Sequence, residues 1–417
     1  MLSVHDALDL VLAQVRIVGS ETVPLAEALH RVVAFELQTP HDSPPFHKSL
    51  MDGFAVTTLA AKNSVASPEQ KFVRLDVVET VTAGMMPSKA VTLTTAIRIM
   101  TGAPLPDGCN CVVPIERTEF DEGIPEFVTI PREAFLDEAC LIRQGGAARK
   151  GSRLMAAGTL LQPQHIATLA EFGHAMITVF RRPTVAVLAT GDELISIGEP
   201  LSPGAIRNSN EPMLTAQAAT CGASSVSLGV ARDNLDDLST RIQEGLEHDI
   251  LLLSGGVSAG TLDLVPQQLE AVGVKQIFHG VDMKPGKPLW FGVRRSESRT
   301  TLVFGLPGNP VSSLVCFELF VRRALQMMSG INCQHKQNIT AYLSEPFTVS
   351  GNRPVYQPAF VSVGDGQLKV RPVPWNGSSD LKATVEANGM ALLASTHGTY
   401  QVGEEVPVWI WGDGRIH

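Results

Sequence analysis

Between Arg182 and Ser329, apolar runs of strand length alternate with longer stretches that mix apolar and charged residues. The runs are TVAVLAT, SVSLGVA, DILLLSG, VKQIFHG, KPLWFGV and TLVFGLP. They are short, mostly apolar and bounded by Gly, Pro or Asp, as buried strands are. The intervening stretches predict helices over Pro212–Thr220, Leu235–Glu247, Asp263–Ala271 and Pro310–Met328. Alternation at this spacing predicts a largely parallel sheet with helices on both faces. Such sheets bind ligands beyond the carboxyl ends of their strands.

The flanking regions have other textures. Residues 1–45 read as helical, opening on the amphipathic MLSVHDALDLVLAQVRIV and running into the breaker cluster TPHDSPPFHK. Residues 46–144 are rich in Val, Thr and Pro with alternating runs such as KFVRLDVVETV, which predicts β structure. Residues 145–181 hold a predicted helix from about Gln164 to Phe172, expected to pack back on the N-terminal segment. The expected domains are therefore 1–45 with 145–181 (N-terminal/linker), 46–144 (β-rich), 182–329 (α/β) and 330–417. The last carries the turn signals GNRP, GDG and NGSS and reads as a small β barrel or sandwich. The fold class is multidomain: a central doubly wound α/β domain, a β-rich second domain, an N-terminal helical/linker domain and a C-terminal β-barrel-like domain.

Composition narrows the functions. The 33 basic and 42 acidic residues give a net charge of −9, the opposite of the basic footprint of a nucleic-acid partner. No apolar run reaches the ~18 residues of a membrane span. The N-terminus lacks the basic region and continuous apolar core of a signal peptide. A cytoplasmic protein without membrane or nucleic-acid partners is expected. The six cysteines include a Cys109-x-Cys111 pair with no second Cys/His pair nearby, so reduced thiols are expected rather than a zinc site.

Three strand ends carry candidate chemistry. In ATGDEL, Asp192 and Glu193 follow an apolar strand directly and could hold Mg2+, a cation that takes oxygen ligands; a polar turn with a helix cap is the competing reading. In SGGVSAGTLD, Gly255, Gly256 and Gly260 lack Cβ atoms, which lets backbone N–H groups approach a phosphate. Ser254 and Ser258 add hydroxyls, and Asp263 stands where a helix begins, suited to capping it or to reaching a metal. A plain tight turn competes here too. The third end pairs VDMKPGKPLWFG with VFGLPGNPVSSL. Lys284 and Lys287 flank a Pro-Gly turn, and two lysines held together repel unless an anion compensates. Gly308-Asn309-Pro310 opens a helix with Ser312 and Ser313 in its first turn, a ready anion site. Asp52 in KSLMDGFAV and Thr101 in RIMTGAPLP are polar residues in apolar, Gly/Pro-rich sequence, which on its own favours a tight turn at each.

Taken together, PPFHKSLMDGFAV, RIMTGAPLPDGCNCVVPIE, ATGDEL, SGGVSAGTLDLV, KPGKPLWFG and LPGNPVSS resemble the molybdopterin molybdenumtransferases, the molybdate insertases called MoeA in bacteria and fused into gephyrin-type proteins in animals. The segments span most of the chain in the family's order. The resemblance implies an elongated homodimer with an active site shared between subunits, a Mg2+ ion, and molybdate and adenylylated molybdopterin as substrates. The phosphoanhydride is cleaved, AMP is released and molybdenum stays on the dithiolene. An upstream molybdopterin adenylyltransferase is the implied partner. Motif match places catalytic roles on Asp52, Thr101, Glu193, Asp233 and Asp263, with Glu193 and Asp263 also as metal ligands. Substrate binding falls to Ser254, Gly255, Gly256, Ser258, Lys284, Lys287, Gly308, Asn309 and Ser312, and more loosely to Arg353 and Ser378. A tetrahedral dianion suits lysines, an arginine and hydroxyls.

The chain departs from the family pattern twice. The family's R-x-x-G-E-D reads IRQGGAARKG here, with Gly146 and Ala147 at the acidic positions, and its Asp-Asn is His47-Lys48. One site carboxylate thus lacks a counterpart. A non-catalytic carrier or scaffold that binds molybdopterin is the alternative function, and retention of Asp52, Glu193, Asp263 and both lysines opposes it. An adenylyltransferase is a third reading, opposed by KPGKP and the four-region architecture.

Overall fold

The structure is a computed structural model that describes residues 1–63, 71–232, 234–256, 264–297, 299–331, 339–395 and 398–412. The chain forms two compact units: Met1–Phe35 with Ala157–Ala167 and Ala175–His417, and Glu36–Ala156 with Thr168–His174.

The first unit is built on a six-stranded sheet. Its strands are β1 Thr184–Thr190, β2 Ser224–Ala231, β3 Ile250–Ser254, β4 Lys275–His279, β5 Trp290–Arg295 and β6 Thr300–Leu306. Their order is β2-β1-β3-β6-β5-β4. The first four run parallel, whereas β5 is antiparallel to both neighbours. The connections explain the change. A parallel pair needs a crossover, and the segments before and after β5 hold only turns.

Side chains alternate across this sheet with a period of two. Val185, Val187, Ile250 and Leu252 enter one buried cluster, and Ala186, Leu188, Leu251 and Leu253 enter another. Helix α1 Asn210–Thr220 packs on the first face through Leu214 and Ala218. Helices α2 Leu235–Gly245 and α3 Leu264–Ala271 pack on the second through Leu238, Ile242, Val265 and Leu269. The sheet is doubly wound as the pattern predicts. The stretch 310–328 is not one uniform helix: α4 Pro310–Cys316 and α5 Arg322–Met328 are joined by a π-helical turn, Phe317–Val321. Glu318 in that turn is buried and takes hydrogen bonds from Arg322 Nε at 2.6 Å and Nη2 at 2.8 Å.

The N-terminal segment is helical only over Val4–Leu12, where the Ser3 hydroxyl caps the Asp6 amide at 3.1 Å. The rest of the expected helical region departs from the reading: Ser20–Pro24 is a strand paired with Met176–Phe180. Local sequence cannot reveal a partner 150 residues away, and the β-branched Thr22 and Val23 suit a strand once it is supplied. The C-terminal region is a closed five-stranded barrel of Ile339–Leu343, Gln367–Pro372, Val355–Gly364, Gly389–Leu393 and Glu405–Ile410. Among the described residues no helix is long and apolar enough to cross a membrane.

The second unit holds a five-stranded sheet in the order Cys111–Pro114, Gly53–Val56, Thr95–Ile99, Phe72–Val81, Phe127–Pro131. Phe54 and Val56 face one buried cluster and Ala55 the other. At Gly53 the Val113 carbonyl occupies the space of a Cβ, so only glycine fits the strand that follows Asp52.

Candidate active site

The parallel strands end where the motifs lie. After β1 the chain turns at Gly191, whose amide bonds the Ala231 carbonyl at 3.4 Å. The exposed Glu193 folds its carboxylate back over Gly191, into the space a Cβ there would fill. After β3 come Ser254, Gly255 and Gly256. Ser254 is 3% exposed. Gly255 and Gly256 have φ of +97° and +64°. A Cβ at Gly255 would lie 2.8 Å from the Thr190 carbonyl oxygen, and one at Gly256 would lie 2.7 Å from Val265 Cγ2. These two glycines are therefore required by backbone conformation and protein contact. The Gly255 amide is engaged as well, donating to the Leu306 carbonyl at 3.1 Å. Ser258, Asp263 and Asp233 lie outside the described residues.

After β6, Gly308, Asn309 and α4 form the next strand end. Asn309 Nδ2 donates to Ser378 Oγ at 2.8 Å, and the Val311 amide donates to the Ser378 carbonyl at 3.1 Å. This attaches a residue of the C-terminal region to the helix N-terminus. Ser312 is 4% exposed in the first turn of α4, and Ser313 is fully buried with its hydroxyl donating to the Pro307 carbonyl.

Both lysines of KPGKP are exposed. Their turn is seated by Gly286, which has φ +105° and whose Cβ would lie 2.7 Å from Cys316 Sγ at the end of α4. The turn also touches the segment that holds Arg353. Lys284 receives the Tyr356 amide on its carbonyl at 2.8 Å, and its own amide donates to the Pro354 carbonyl at 2.9 Å. Lys284 Nζ reaches the Ser350 carbonyl at 3.4 Å. Arg353 stands 4.0 Å from the Asp282 carboxylate. The structure thus brings Lys284 beside the Arg353 segment, and Asn309 onto Ser378.

A residue the sequence reading missed ties two strand ends together. Asn210, the first residue of α1, donates through Nδ2 to Ser254 Oγ and to the Gly308 carbonyl, each at 2.7 Å. Its signal was the Asn-Ser-Asn run just ahead of the predicted helix, where such residues interact with backbone ends.

In the second unit Asp52 and Thr101 meet directly. The Thr101 amide and hydroxyl both donate to Asp52 Oδ1, at 2.7 and 2.8 Å. The amide, then the hydroxyl, hold the carboxyl below its ordinary range. The IRQGGAARKG segment of the same unit closes on Asp42. Asp42 accepts from the Lys150 amide at 2.8 Å and from Gln144 Nε2 at 2.9 Å, and its carboxyl is lowered chiefly by the Lys150 amide. His47 Nδ1 accepts from the Gln144 amide at 2.8 Å. Gly146 and Ala147 are exposed on this loop. No group of three or more His, Cys, Asp or Glu placed to hold a metal occurs among the described residues.

Three family descriptions match along the chain: the MoeA N-terminal region (domain I and II) over residues 2–173, a probable molybdopterin binding domain over 186–327, and the MoeA C-terminal region (domain IV) over 340–411. The molybdopterin molybdenumtransferase of Bacillus subtilis (strain 168) is 36% identical over 391 residues, covering 93% of this chain and 89% of its own. That of Staphylococcus aureus (strain Mu50) is 32% identical over 409 residues, covering 97% and 94%. The crystal structure of a molybdopterin biosynthesis MoeA protein from Pyrococcus horikosii superposes with a TM-score of 0.81 at 30% identity, covering 100% of both chains.

Proposed function

Since the chain belongs to the MoeA family of molybdopterin molybdenumtransferases, we propose that it inserts molybdate into adenylylated molybdopterin in molybdenum cofactor biosynthesis. The phosphoanhydride is cleaved, AMP leaves and molybdenum stays on the dithiolene. The observation that carries this reading is the Asn309–Ser378 hydrogen bond at 2.8 Å. It puts a hydroxyl residue of the C-terminal region at the open end of α4, where the helix dipole favours an anion.

Lys284, Lys287 and Arg353 supply fixed positive charge to a tetrahedral dianion, with Ser378, Asn309 and Ser312 as neutral partners. Ser254 binds the diphosphate portion, with Gly255, Gly256, Gly308 and Ser258 shaping the loops around it. Asp52, steadied by Thr101, and Asp233 remain ionised groups for proton handling. Mg2+ keeps several waters and takes one or two carboxylates plus substrate phosphates. The exposed Glu193 fits that donor set, with Asp263 as its second member. The ion would neutralise charge on the phosphoanhydride. The working form is a cytoplasmic homodimer with its active site shared between subunits, supplied by a molybdopterin adenylyltransferase.

The test is AMP release from adenylylated molybdopterin, followed with and without molybdate. Molybdate-dependent release is the expected result. Binding without release would instead support a carrier.

A further inference from the structure

We propose that Asn210 is a positioning residue for this reaction: it sets the direction of the Ser254 hydroxyl and locks the ends of β3 and β6 together. The proposal rests on the insertase reading of the site. Asn210 is 8% exposed. Its Nδ2 donates both hydrogens, one to Ser254 Oγ and one to the Gly308 carbonyl, at 2.7 Å each. A carbonyl only accepts, so the atom facing Gly308 must be the nitrogen, and this fixes the amide orientation. Ser254 Oγ then acts as the acceptor from Asn210, and its own proton must point elsewhere.

The consequence extends past one hydroxyl. Gly308 is followed by Asn309, which donates to Ser378 at 2.8 Å. A connected path therefore runs from Ser254 through Asn210, Gly308 and Asn309 to Ser378. It joins the loop assigned to the diphosphate with the pocket assigned to molybdate. A second observation separates this from a simple brace. Asn210 Oδ1 is buried with no hydrogen-bond partner among the described residues. Leaving a buried acceptor unmatched is unfavourable. The arrangement thus gives up stability to keep both donors on Ser254 and Gly308, as residues at functional sites do.

The experiment compares the full-length protein with Asn210→Leu, Ser254→Ala and the double variant. Leucine matches the size of asparagine and removes both donors together with the unmatched acceptor. We expect Asn210→Leu to melt cooperatively near the wild-type temperature, with kcat for AMP release reduced about ten- to a hundred-fold, the range for misplaced groups, and a smaller change in KM. The double variant should be no slower than the slower single one, because both act through the same hydroxyl. An unchanged kcat, or losses that multiply in the double variant, overturns the proposal. Should Asn210→Leu fail to fold, Asn210→Ser keeps one donor and must give an intermediate kcat; wild-type kcat in that variant overturns the proposal equally. Hydrogen exchange of the Gly255 amide without substrate gives a readout free of activity. It should accelerate in the variants, and unchanged exchange counts against the proposal. A wild-type protein that releases no AMP defeats the insertase reading, while the exchange measurement still reports on Asn210.

Discussion

Asp52 Oδ1 receives two hydrogen bonds from a single residue, the Thr101 amide at 2.7 Å and the Thr101 hydroxyl at 2.8 Å. Both donors favour the ionised carboxylate, so the group stays charged to lower pH than a free aspartate. What Asp52 contributes is present above its ordinary pKa and is lost as pH falls through the lowered value. Thr101→Val keeps the amide and removes the hydroxyl, which moves the Asp52 pKa upward. The acid limb of the pH profile of kcat/KM should shift to higher pH. An acid limb that stays in place removes Asp52 from the titrating groups of the reaction.

Lys287→Ala removes one exposed charge from a turn whose shape is set by Gly286 and Cys316, not by the lysine. A hydrogen bond to a charged group is worth about 1.5–3 kcal/mol. The molybdate concentration for half-maximal AMP release should therefore rise about ten-fold or more, with an unchanged melting temperature. An unaltered molybdate dependence would take Lys287 out of the oxyanion site.

Gly256→Val places a branched side chain at φ +64°, with Cβ 2.7 Å from Val265 Cγ2 and 3.0 Å from Thr190 Oγ1. Strain of this kind costs about 1–3 kcal/mol. The melting temperature should fall, and activity should fall with it. A variant of wild-type stability would show that the turn can relax away from α3.

Sharing of the site between subunits predicts complementation. Asp52→Asn and Lys287→Ala dimers, each weak alone, are unfolded together and refolded as a mixture. Half of the dimers are then mixed, and each mixed dimer holds one intact site. Activity should reach about a quarter of wild type. A mixture no better than its parents argues for sites formed within one subunit.

Ala147→Asp restores a carboxylate at an exposed loop position, next to the backbone that Asp42 holds. Gly146 is less suited, since a Cβ there would lie 2.9 Å from the Arg143 carbonyl. Ala147→Asp should raise AMP release at low Mg2+. No change in the Mg2+ titration would mark the segment as structural only.

The α/β domain was legible because its signals are local. Alternation in TVAVLAT and ILLLS states directly that Val185 and Ala186 face opposite ways, and the structure puts them in different clusters. The N-terminal strand Ser20–Pro24 was not legible, because its partner is Met176–Phe180. At the site, motif spacing indicated Asp52 and Thr101 singly, but only the fold brings them into contact. Asn210 escaped notice for the same reason: its partners Ser254 and Gly308 are 44 and 98 residues away. Gly255 and Gly256 were singled out for closeness to a ligand, whereas their neighbours Thr190 and Val265 already account for the missing side chains.

The π-helical turn Phe317–Val321 also bears on how the chain should be compared with its relatives. Such a turn holds one residue more than an α-helical turn. Deleting one residue within it would restore a uniform helix and rotate everything beyond by about 100°. Ser312 and Arg322 lie on opposite sides of this extra residue, so they could not both keep their present surroundings. A length difference among homologous chains is therefore best accommodated in this turn. A shortened version of the protein should retain either the anion-facing end of the helix or the Glu318–Arg322 pair, but not both.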